Sequence, residues 1–147
     1  MLYLGADHRG YPLKEKIKAW LKQQGVSFED LGATDLDPAD DYTDYAAKVG
    51  EAVSKNPAVD RGILLCGAGA GICVAANKFK GVRSALAQNP EMARAMRHDD
   101  DINVLCLASD FLDEKTAEQI VEVWLKTPFG KEERYIRRMK KIQELER

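Results

Sequence analysis

The chain has 147 residues, of which 45% are hydrophobic and 31% charged, and its formal net charge at pH 7 is −2. This length predicts a single domain over residues 1–147 with one buried core. The near-neutral charge disfavours nucleic-acid binding, and no segment approaches the ~20 apolar residues that a membrane span needs. Three widely spaced cysteines without a CxxC motif favour reduced thiols in a cytoplasmic protein over a zinc site.

Short apolar runs alternate with amphipathic helical patterns along the whole chain. In chain order, the predicted strands are Met1–Gly5, Val26–Asp30, Gly62–Cys66, Val82–Ala87 and Val104–Ala108. The predicted helices run from about Leu13 to a stop at Gly25 and then over Tyr42–Val53, Ile72–Asn77, Pro90–Arg97 and Thr116–Leu125. A last helix follows Gly130 and has Tyr135, Met139 and Ile142 on one side. The pattern is a repeated β-α unit with one extra helix at the C-terminus.

The predicted strands are short and largely apolar, as Gly62–Cys66 illustrates. Such strands are typical of a parallel sheet that helices cover on both faces. The expected fold class is therefore α/β, a three-layer, doubly wound parallel sheet of five strands. Right-handed crossovers make 2-1-3-4-5 the expected strand order. The extra C-terminal helix has no strand to cover and is free to pack on a second subunit.

The carboxyl ends of the first and third strands carry the residues with the most distinctive chemistry. Strand one leads into Gly5–Gly10, which contains Asp7 and His8, and strand three leads into Cys66–Gly71. In a sheet of this order, ligands bind where the strand order reverses, between strands one and three. Topology and residue chemistry therefore predict the same crevice as the binding site.

Alternating glycines follow Cys66, at Gly67, Gly69 and Gly71, and a helix begins within them. Their amide N–H groups can stabilise an anion, although a tight strand-to-helix turn would need the same glycines. The helix dipole would favour the thiolate of Cys66, which makes this residue a candidate base or nucleophile. The alternative is a buried structural cysteine, an interpretation that suits the other two cysteines well.

Three further groups of polar residues are candidates for binding or proton transfer. Asp7 and His8 can position a sugar hydroxyl or a proton, or can instead be a helix N-cap and a solvated histidine. Arg134 and Arg138 share a helix face and could grip a phosphate, although a solvated basic stripe is the simpler interpretation. The second histidine, His98, precedes three aspartates, a pattern typical of a polar helix end and an acidic loop.

Motifs along nearly the whole chain resemble ribose-5-phosphate isomerase B and the related galactose-6-phosphate isomerases. In order, these are GADHRGYPLKEKIKAWL, DYTDYA, GILLCGAGAG, AANKFKGVRSAL, and TPF followed by Arg134 and Arg138. The family interconverts aldose and ketose phosphates without a metal, on the fold predicted above, and its active sites form between two subunits. The resemblance therefore implies a sugar-phosphate ligand, no cofactor and a homodimer, with the pairing of dimers into tetramers left open.

The resemblance also implies a role for each matched residue. Cys66 would move a proton between C1 and C2 of the sugar through an enediolate, which the amides of Gly67–Gly71 would stabilise. The remaining matched residues would bind the sugar or its phosphate: Asp7, His8, Tyr42, Asp100, Arg134 and Arg138. The two arginines would act across the subunit interface.

Three positions depart from the family pattern. Ala68 replaces the threonine of the family's Gly-Thr-Gly, Asp99 aligns with the ring-opening histidine, and Asp110 aligns with an arginine that helps to bind phosphate. We expect either Asp99, which would then need a raised pKa, or the displaced His98 to open the sugar ring. Two alternatives follow from these departures: an isomerase of a different or unphosphorylated sugar, and a non-catalytic module that binds a sugar or phosphate.

Overall fold

A central parallel β-sheet runs through the computed structural model, which describes residues 1–147. Its strands are β1 (Leu2–Ala6), β2 (Glu29–Asp30), β3 (Arg61–Cys66), β4 (Ser84–Leu86) and β5 (Val104–Ala108). The helices are α1 (Tyr11–Gln23), α2 (Tyr42–Ser54), α3 (Ala70–Ala76), α4 (Pro90–Asp100), α5 (Glu114–Lys126) and α6 (Glu133–Leu145). A short 3-10 turn, Ser109–Phe111, links β5 to α5. Each predicted strand and helix is present, although several begin or end at other residues.

Helices cover both faces of the sheet and bury its side chains in two clusters. On one face, α1, α4 and α5 pack together, and Ile17, Ile120 and Trp124 meet the strands in the larger cluster. On the other face, α2 and α3 pack together, and Val49 and Ile72 belong to the smaller cluster. The predicted three-layer, doubly wound α/β fold is therefore confirmed.

The strand order is β2-β1-β3-β5-β4, whereas the sequence predicts 2-1-3-4-5. β5 has five residues, is buried throughout and pairs with both β3 and β4. β4 has three residues, two of them only partly buried, and it forms the edge of the sheet. A continuously apolar strand gains most from the interior of a parallel sheet, so β5 takes the inner position that the chain order assigned to β4.

Helix α4 is longer than predicted, because it continues past Arg97 to Asp100. It ends at Asp101, which adopts a left-handed conformation with a φ of 46°. The Asp101 carboxylate pairs with Arg97 in the same helix and with Arg83, 2.9 Å away, at the start of β4. These tertiary pairs fix the helix end, and His98–Asp100 therefore lie on its last turn rather than in an acidic loop.

The C-terminal helix α6 is present as predicted and contacts α4. Tyr135 is its one buried residue. The apolar side chains of Ile136, Ile142 and Leu145 are exposed, so α6 presents an apolar surface that no other element of the chain covers. None of the helices combines the length and the apolar character that crossing a bilayer requires.

Candidate active site

The carboxyl ends of β1, β3 and β5 lie side by side at the same end of the parallel sheet. β1 pairs with β3 through Ala6 and Leu65, and β3 pairs with β5 through Cys66 and Ala108. The residues that follow these strands therefore converge. We term the resulting group the strand-end cluster: Asp7, His8, Arg9, Asp40, Tyr42, Cys66, Gly67–Gly71 and Asp110.

Cys66 is the last residue of β3, and 5% of its surface is exposed. Its Sγ accepts a hydrogen bond from the amide N–H of Gly69 at 3.2 Å. Gly69 has a φ of 73°, and a side chain there would lie 2.5 Å from Leu86, so this turn requires glycine. The turn thus directs an amide N–H at the sulfur. Cys66 does not line any of the five principal clefts of the single chain.

Cys73 lies within α3 and has a lowered thiol pKa, although the sequence predicts a structural role for it. Hydrogen bonding with Cys106 outweighs partial burial and, together with Ser84, lowers the pKa of Cys73 to about 6. Burial raises the pKa of Cys106 well above its ordinary value, which agrees with the predicted structural role of that residue. The pKa of Cys73 had no signal in the sequence, because it depends on partners from β4 and β5.

Asp7 and His8 are each held by hydrogen bonds within the chain. Oδ1 of Asp7 accepts the amide N–H groups of Arg9 and Gly10 at 3.0 and 2.9 Å, so Asp7 closes the turn before α1. Nδ1 of His8 lies 2.7 Å from Oδ1 of Asp40, which also accepts the His8 amide N–H at 3.0 Å. Asp40 belongs to the loop before α2, and no pattern in the sequence predicts its role. The pairing leaves Nε2 of His8 available to a ligand.

Asp7, His8 and Asp40 are also the one group of side chains in the chain that could hold a metal ion, since their ligand atoms lie within 4.8 Å of one another. Oδ1 of each carboxylate, however, already accepts two hydrogen bonds. Burial would raise the pKa of Asp40, but hydrogen bonds from the side chain and amide of His8 lower it below its ordinary value. The group also forms a hydrogen-bond network that orients His8.

Tyr42 and the glycine turn pack against each other. A side chain at Gly71 would lie 2.6 Å from Cζ of Tyr42 and 2.9 Å from its hydroxyl oxygen, so the ring covers this end of the turn. Ala68 lines a cleft of about 510 Å³ with Leu86 and Phe111, at the ends of β4 and β5. The residues predicted on β1, β3 and α2 are thus brought together.

A second group of predicted residues forms where α4 ends beside α6, and we term it the α4–α6 cluster: His98, Asp99, Asp100, Arg134, Tyr135 and Arg138. Nδ1 of His98 lies 2.7 Å from Oδ1 of Asp99, and its ring meets Tyr135 edge-on at 5.5 Å between centroids. Nη2 of Arg134 donates to the Tyr135 hydroxyl at 2.9 Å. The hydrogen bond with His98 lowers the pKa of Asp99, whereas burial and the nearby Asp99 raise the pKa of Asp100. Asp99 therefore lacks the raised pKa that a proton donor at this position would need, and the raised pKa occurs at its neighbour Asp100.

The α4–α6 cluster lies near the amino ends of the strands, whereas Cys66 lies at their carboxyl ends. α4 ends shortly before β5 begins, whereas Cys66 pairs with Ala108 at the end of β5. A five-residue strand rises about 13 Å between its first and last residues. A single chain therefore does not bring the predicted base and the predicted ring-opening residues together.

The sequence matches the Ribose/Galactose Isomerase family over residues 2–142. The chain belongs to this family. A probable ribose-5-phosphate isomerase B of Mycoplasma pneumoniae is 43% identical over 128 residues, which cover 87% of this chain and 84% of that relative. Ribose-5-phosphate isomerase B of Escherichia coli is 41% identical over 121 residues, which cover 82% of this chain and 80% of its own. The resemblance drawn from the motifs is thereby confirmed.

Crystal structures of family members have the same fold. Ribose-5-phosphate isomerase B from Mycoplasma genitalium, with bound ribulose-5-phosphate, has a TM-score of 0.94 at 41% identity over 97% of this chain and 93% of that chain. The ribose 5-phosphate isomerase from Thermotoga maritima has a TM-score of 0.92 at 40% identity over 98% of this chain and 97% of that chain. The match spans both the strand-end cluster and α6.

Proposed function

We propose that the protein is an aldose–ketose isomerase that interconverts ribose 5-phosphate and ribulose 5-phosphate. Its family, and its similarity to a structure that holds ribulose-5-phosphate, support a sugar phosphate as substrate. The observation that carries the proposal is the position of Cys66, whose Sγ accepts the amide N–H of Gly69 at the end of β3. The thiolate is the form in which a cysteine acts as a base, and this N–H points at the sulfur that would carry the charge.

Cys66 is the base of the proposed reaction. Its thiolate removes the proton from C2 of the open-chain aldose, and the C–H electrons form an enediolate with the negative charge on O1. A proton then passes from O2 to O1, and the thiol returns its proton to C1, so that C2 becomes the ketone carbonyl. Amide N–H groups at the start of α3 stabilise the enediolate, since the first residues of a helix have no intrahelical acceptor. Because Ala68 has no hydroxyl, only the backbone N–H groups of Gly67–Gly71 can stabilise the enediolate.

The complete active site needs two subunits. The strand-end cluster supplies the base, whereas the α4–α6 cluster of the same chain lies at the other end of the strands. A second chain must therefore bring its α4–α6 cluster to Cys66. A homodimer is also supported by the exposed apolar face of α6 and by a cleft of about 560 Å³ lined by Met96, Ile142 and Leu145. In this dimer Arg134 and Arg138 of one subunit hold the phosphate bound to the other.

His98 and Asp99 open the sugar ring from the second subunit. Asp99 is ionised near neutral pH because His98 lowers its pKa, so it is a poor proton donor. A carboxylate 2.7 Å from an imidazole instead orients the ring. We therefore assign the proton donation to His98, and Asp99 orients the His98 ring. Asp100, near Arg138, contacts the substrate.

Asp7, His8 and Tyr42 bind the substrate within the first subunit. Asp7 holds the turn that places His8, and Asp40 fixes the imidazole so that Nε2 faces the ligand. The Tyr42 ring, packed on Gly71, forms the wall of the sugar site. The alternative of a different or unphosphorylated sugar rested on Asp99 and Asp110, and an ion pair with Arg9 offsets the negative charge at Asp110.

Isomerisation assays on a panel of aldose phosphates test the proposal. We expect the wild type to convert ribose 5-phosphate and Cys66→Ala to lose about 10²- to 10⁴-fold in kcat, the usual contribution of a general base. Cys73→Ser is the matched control, because it removes the thiol whose pKa is about 6 without touching the proposed base. It should retain wild-type turnover.

Two results would contradict different parts of the proposal. Full activity in Cys66→Ala would remove Cys66 as the base and leave the isomerase assignment intact. A wild type that neither converts any sugar phosphate nor exchanges the C2 proton with heavy water would refute the isomerase and favour a binding module.

A further inference from the structure

Arg9 and Asp110 form an ion pair across the strand-end cluster. Arg9 follows β1, Asp110 lies in the 3-10 turn after β5, and Nη2 of Arg9 contacts a carboxylate oxygen of Asp110. Position 110 is where the family pattern has an arginine that helps to bind phosphate. The cation that this chain lacks at the end of β5 is thus present at the end of β1, in direct contact with the residue that replaced it.

The guanidinium of Arg9 lies directly on the glycine turn. A side chain at Gly67 would come within 2.2 Å of Cζ and 2.3 Å of Nε of Arg9. The amide N–H of Asp110 donates to the carbonyl oxygen of Gly67 at 3.0 Å, which holds the Asp110 carboxylate beside the same glycine. The cation therefore lies over the residue that follows Cys66, with 54% of its side chain exposed to a ligand.

The pairing with Asp110 leaves most donors of Arg9 free. A guanidinium carries five N–H donors in a planar fork, and the structure gives Nε and Nη1 of Arg9 no protein acceptor. Arg9 can therefore hold a carboxylate along one edge and a phosphate along another. The other cation of the adjoining cleft, Lys16, is already paired with Glu114 at 3.2 Å.

We propose that Arg9 supplies the phosphate-binding cation that the family pattern places at position 110, and that Asp110 orients its guanidinium and weakens its hold on phosphate. The inference rests on the proposed function, because it concerns the phosphate of the same substrate. An exposed ion pair that only joined two turns would contribute little to stability and nothing to ligand binding. The two roles are therefore separable by measurement.

Inorganic phosphate is the probe, measured as a competitive inhibitor of isomerisation and directly by titration calorimetry. Arg9→Gln should raise the phosphate Ki and the KM for ribose 5-phosphate about 10- to 100-fold, the loss expected for one charge-assisted contact, with a much smaller change in kcat. Asp110→Asn should lower both constants, because the competing carboxylate is gone. Arg9→Gln/Asp110→Arg, which returns the cation to position 110, should recover both to within about tenfold of wild type.

Lys16→Gln is the matched control, since it removes a neighbouring exposed cation and should leave phosphate binding unchanged. Wild-type Ki and KM in Arg9→Gln would overturn the proposal. An equal effect of Lys16→Gln would also overturn it, because any nearby positive charge would then attract phosphate equally well. Both Arg9 and Asp110 are exposed, so the variants should fold, and circular dichroism checks this. A wild type without isomerase activity would defeat the proposed function, yet calorimetry of phosphate binding to wild type and Arg9→Gln would still decide the role of Arg9.

Discussion

Two histidine–aspartate pairs of the chain have the same geometry and different surroundings. In both, Nδ1 of the histidine lies 2.7 Å from a carboxylate oxygen: His8 with Asp40 in the strand-end cluster, and His98 with Asp99 in the α4–α6 cluster. The Asp40 side chain is 6% exposed and reaches His8 from a distant segment. His98 and Asp99 are neighbours on one helix, and their side chains are 40% and 43% exposed. Only the first pair is enclosed by its own chain.

The difference indicates which half of the proposed active site each chain completes by itself. The strand-end cluster already has its tight turns, a buried carboxylate and a nearly buried Cys66. The α4–α6 cluster presents exposed polar side chains next to an apolar face of α6 that nothing in the chain covers. Exposed polar groups beside such a surface are typical of a site that another subunit completes. Variants that act on one half only test this difference.

Mixing two inactive variants should give the largest effect. Cys66→Ala disables the strand-end half and His98→Ala the α4–α6 half, and each homodimer should lose at least about 10²-fold in kcat. In a heterodimer one of the two sites has both halves intact, so subunits refolded together at equal amounts should regain about a quarter of wild-type activity. Steady-state assays before and after joint refolding measure this gain.

The control for this complementation is a mixture of Cys66→Ala with Cys66→Ser, which damages the same half twice. That mixture should remain inactive after joint refolding. If the mixture of Cys66→Ala and His98→Ala also remained inactive while light scattering showed dimers, the two halves would not share one site.

The strand-end cluster was the more predictable half, and the members that the sequence did not predict share one physical reason: their contacts are long-range. Cys66 ends an apolar strand, Asp7 and the glycine turn directly follow apolar strands, and parallel strand ends meet by topology alone. Asp40 lies in a polar loop without periodicity, 32 residues from His8, so its contact had no local signal. The pairing of Arg9 with Asp110 depends on β5 lying next to β3, which the predicted strand order did not contain.

The last turn of α4 was missed for a different reason. Residues 98–100 are all polar, and a helical pattern recognised by its apolar spacing ends where the apolar residues end. The turn is helical because Asp101 closes it through pairs with Arg83 and Arg97, and such tertiary contacts override local preference. Fold class was therefore predictable from strand patterns, whereas the end of α4 needed the structure.

Neutralising the enclosed aspartate should destabilise the protein more than neutralising the exposed one. Asp40→Asn keeps the shape of the side chain but replaces charge-assisted hydrogen bonds to His8 by neutral ones, which should cost about 1 kcal/mol of unfolding free energy at pH 7. Asp99→Asn removes a charge from an exposed pair and should change that free energy by less than about 0.5 kcal/mol. Urea unfolding of both variants and wild type measures the difference.

The effect of Asp40→Asn should depend on pH in one direction. Although burial opposes it, hydrogen bonding to His8 lowers the pKa of Asp40 below 3.8 in the folded protein. The carboxylate therefore stabilises the fold above pH 3.8, and this contribution is lost as the pH falls through the folded-state pKa. The difference in stability between wild type and variant should narrow as the pH falls below 3.8 and close once it is below the folded-state pKa. A gap that stayed constant from pH 7 to pH 3 would mean that the charge of Asp40 contributes nothing.

The smallest expected effect belongs to Tyr135, a positioning residue of the α4–α6 cluster. Its hydroxyl accepts a hydrogen bond from Arg134, and its ring packs edge-on against His98. Tyr135→Phe keeps the ring and removes the hydroxyl to which Arg134 donates, so the KM for ribose 5-phosphate should rise about two- to tenfold with little change in kcat. Tyr135→Leu also removes the ring beside His98 and should lower kcat as well. If Tyr135→Phe instead lowered kcat at unchanged KM, the hydroxyl would act on the ring-opening step and not through the phosphate-binding arginine.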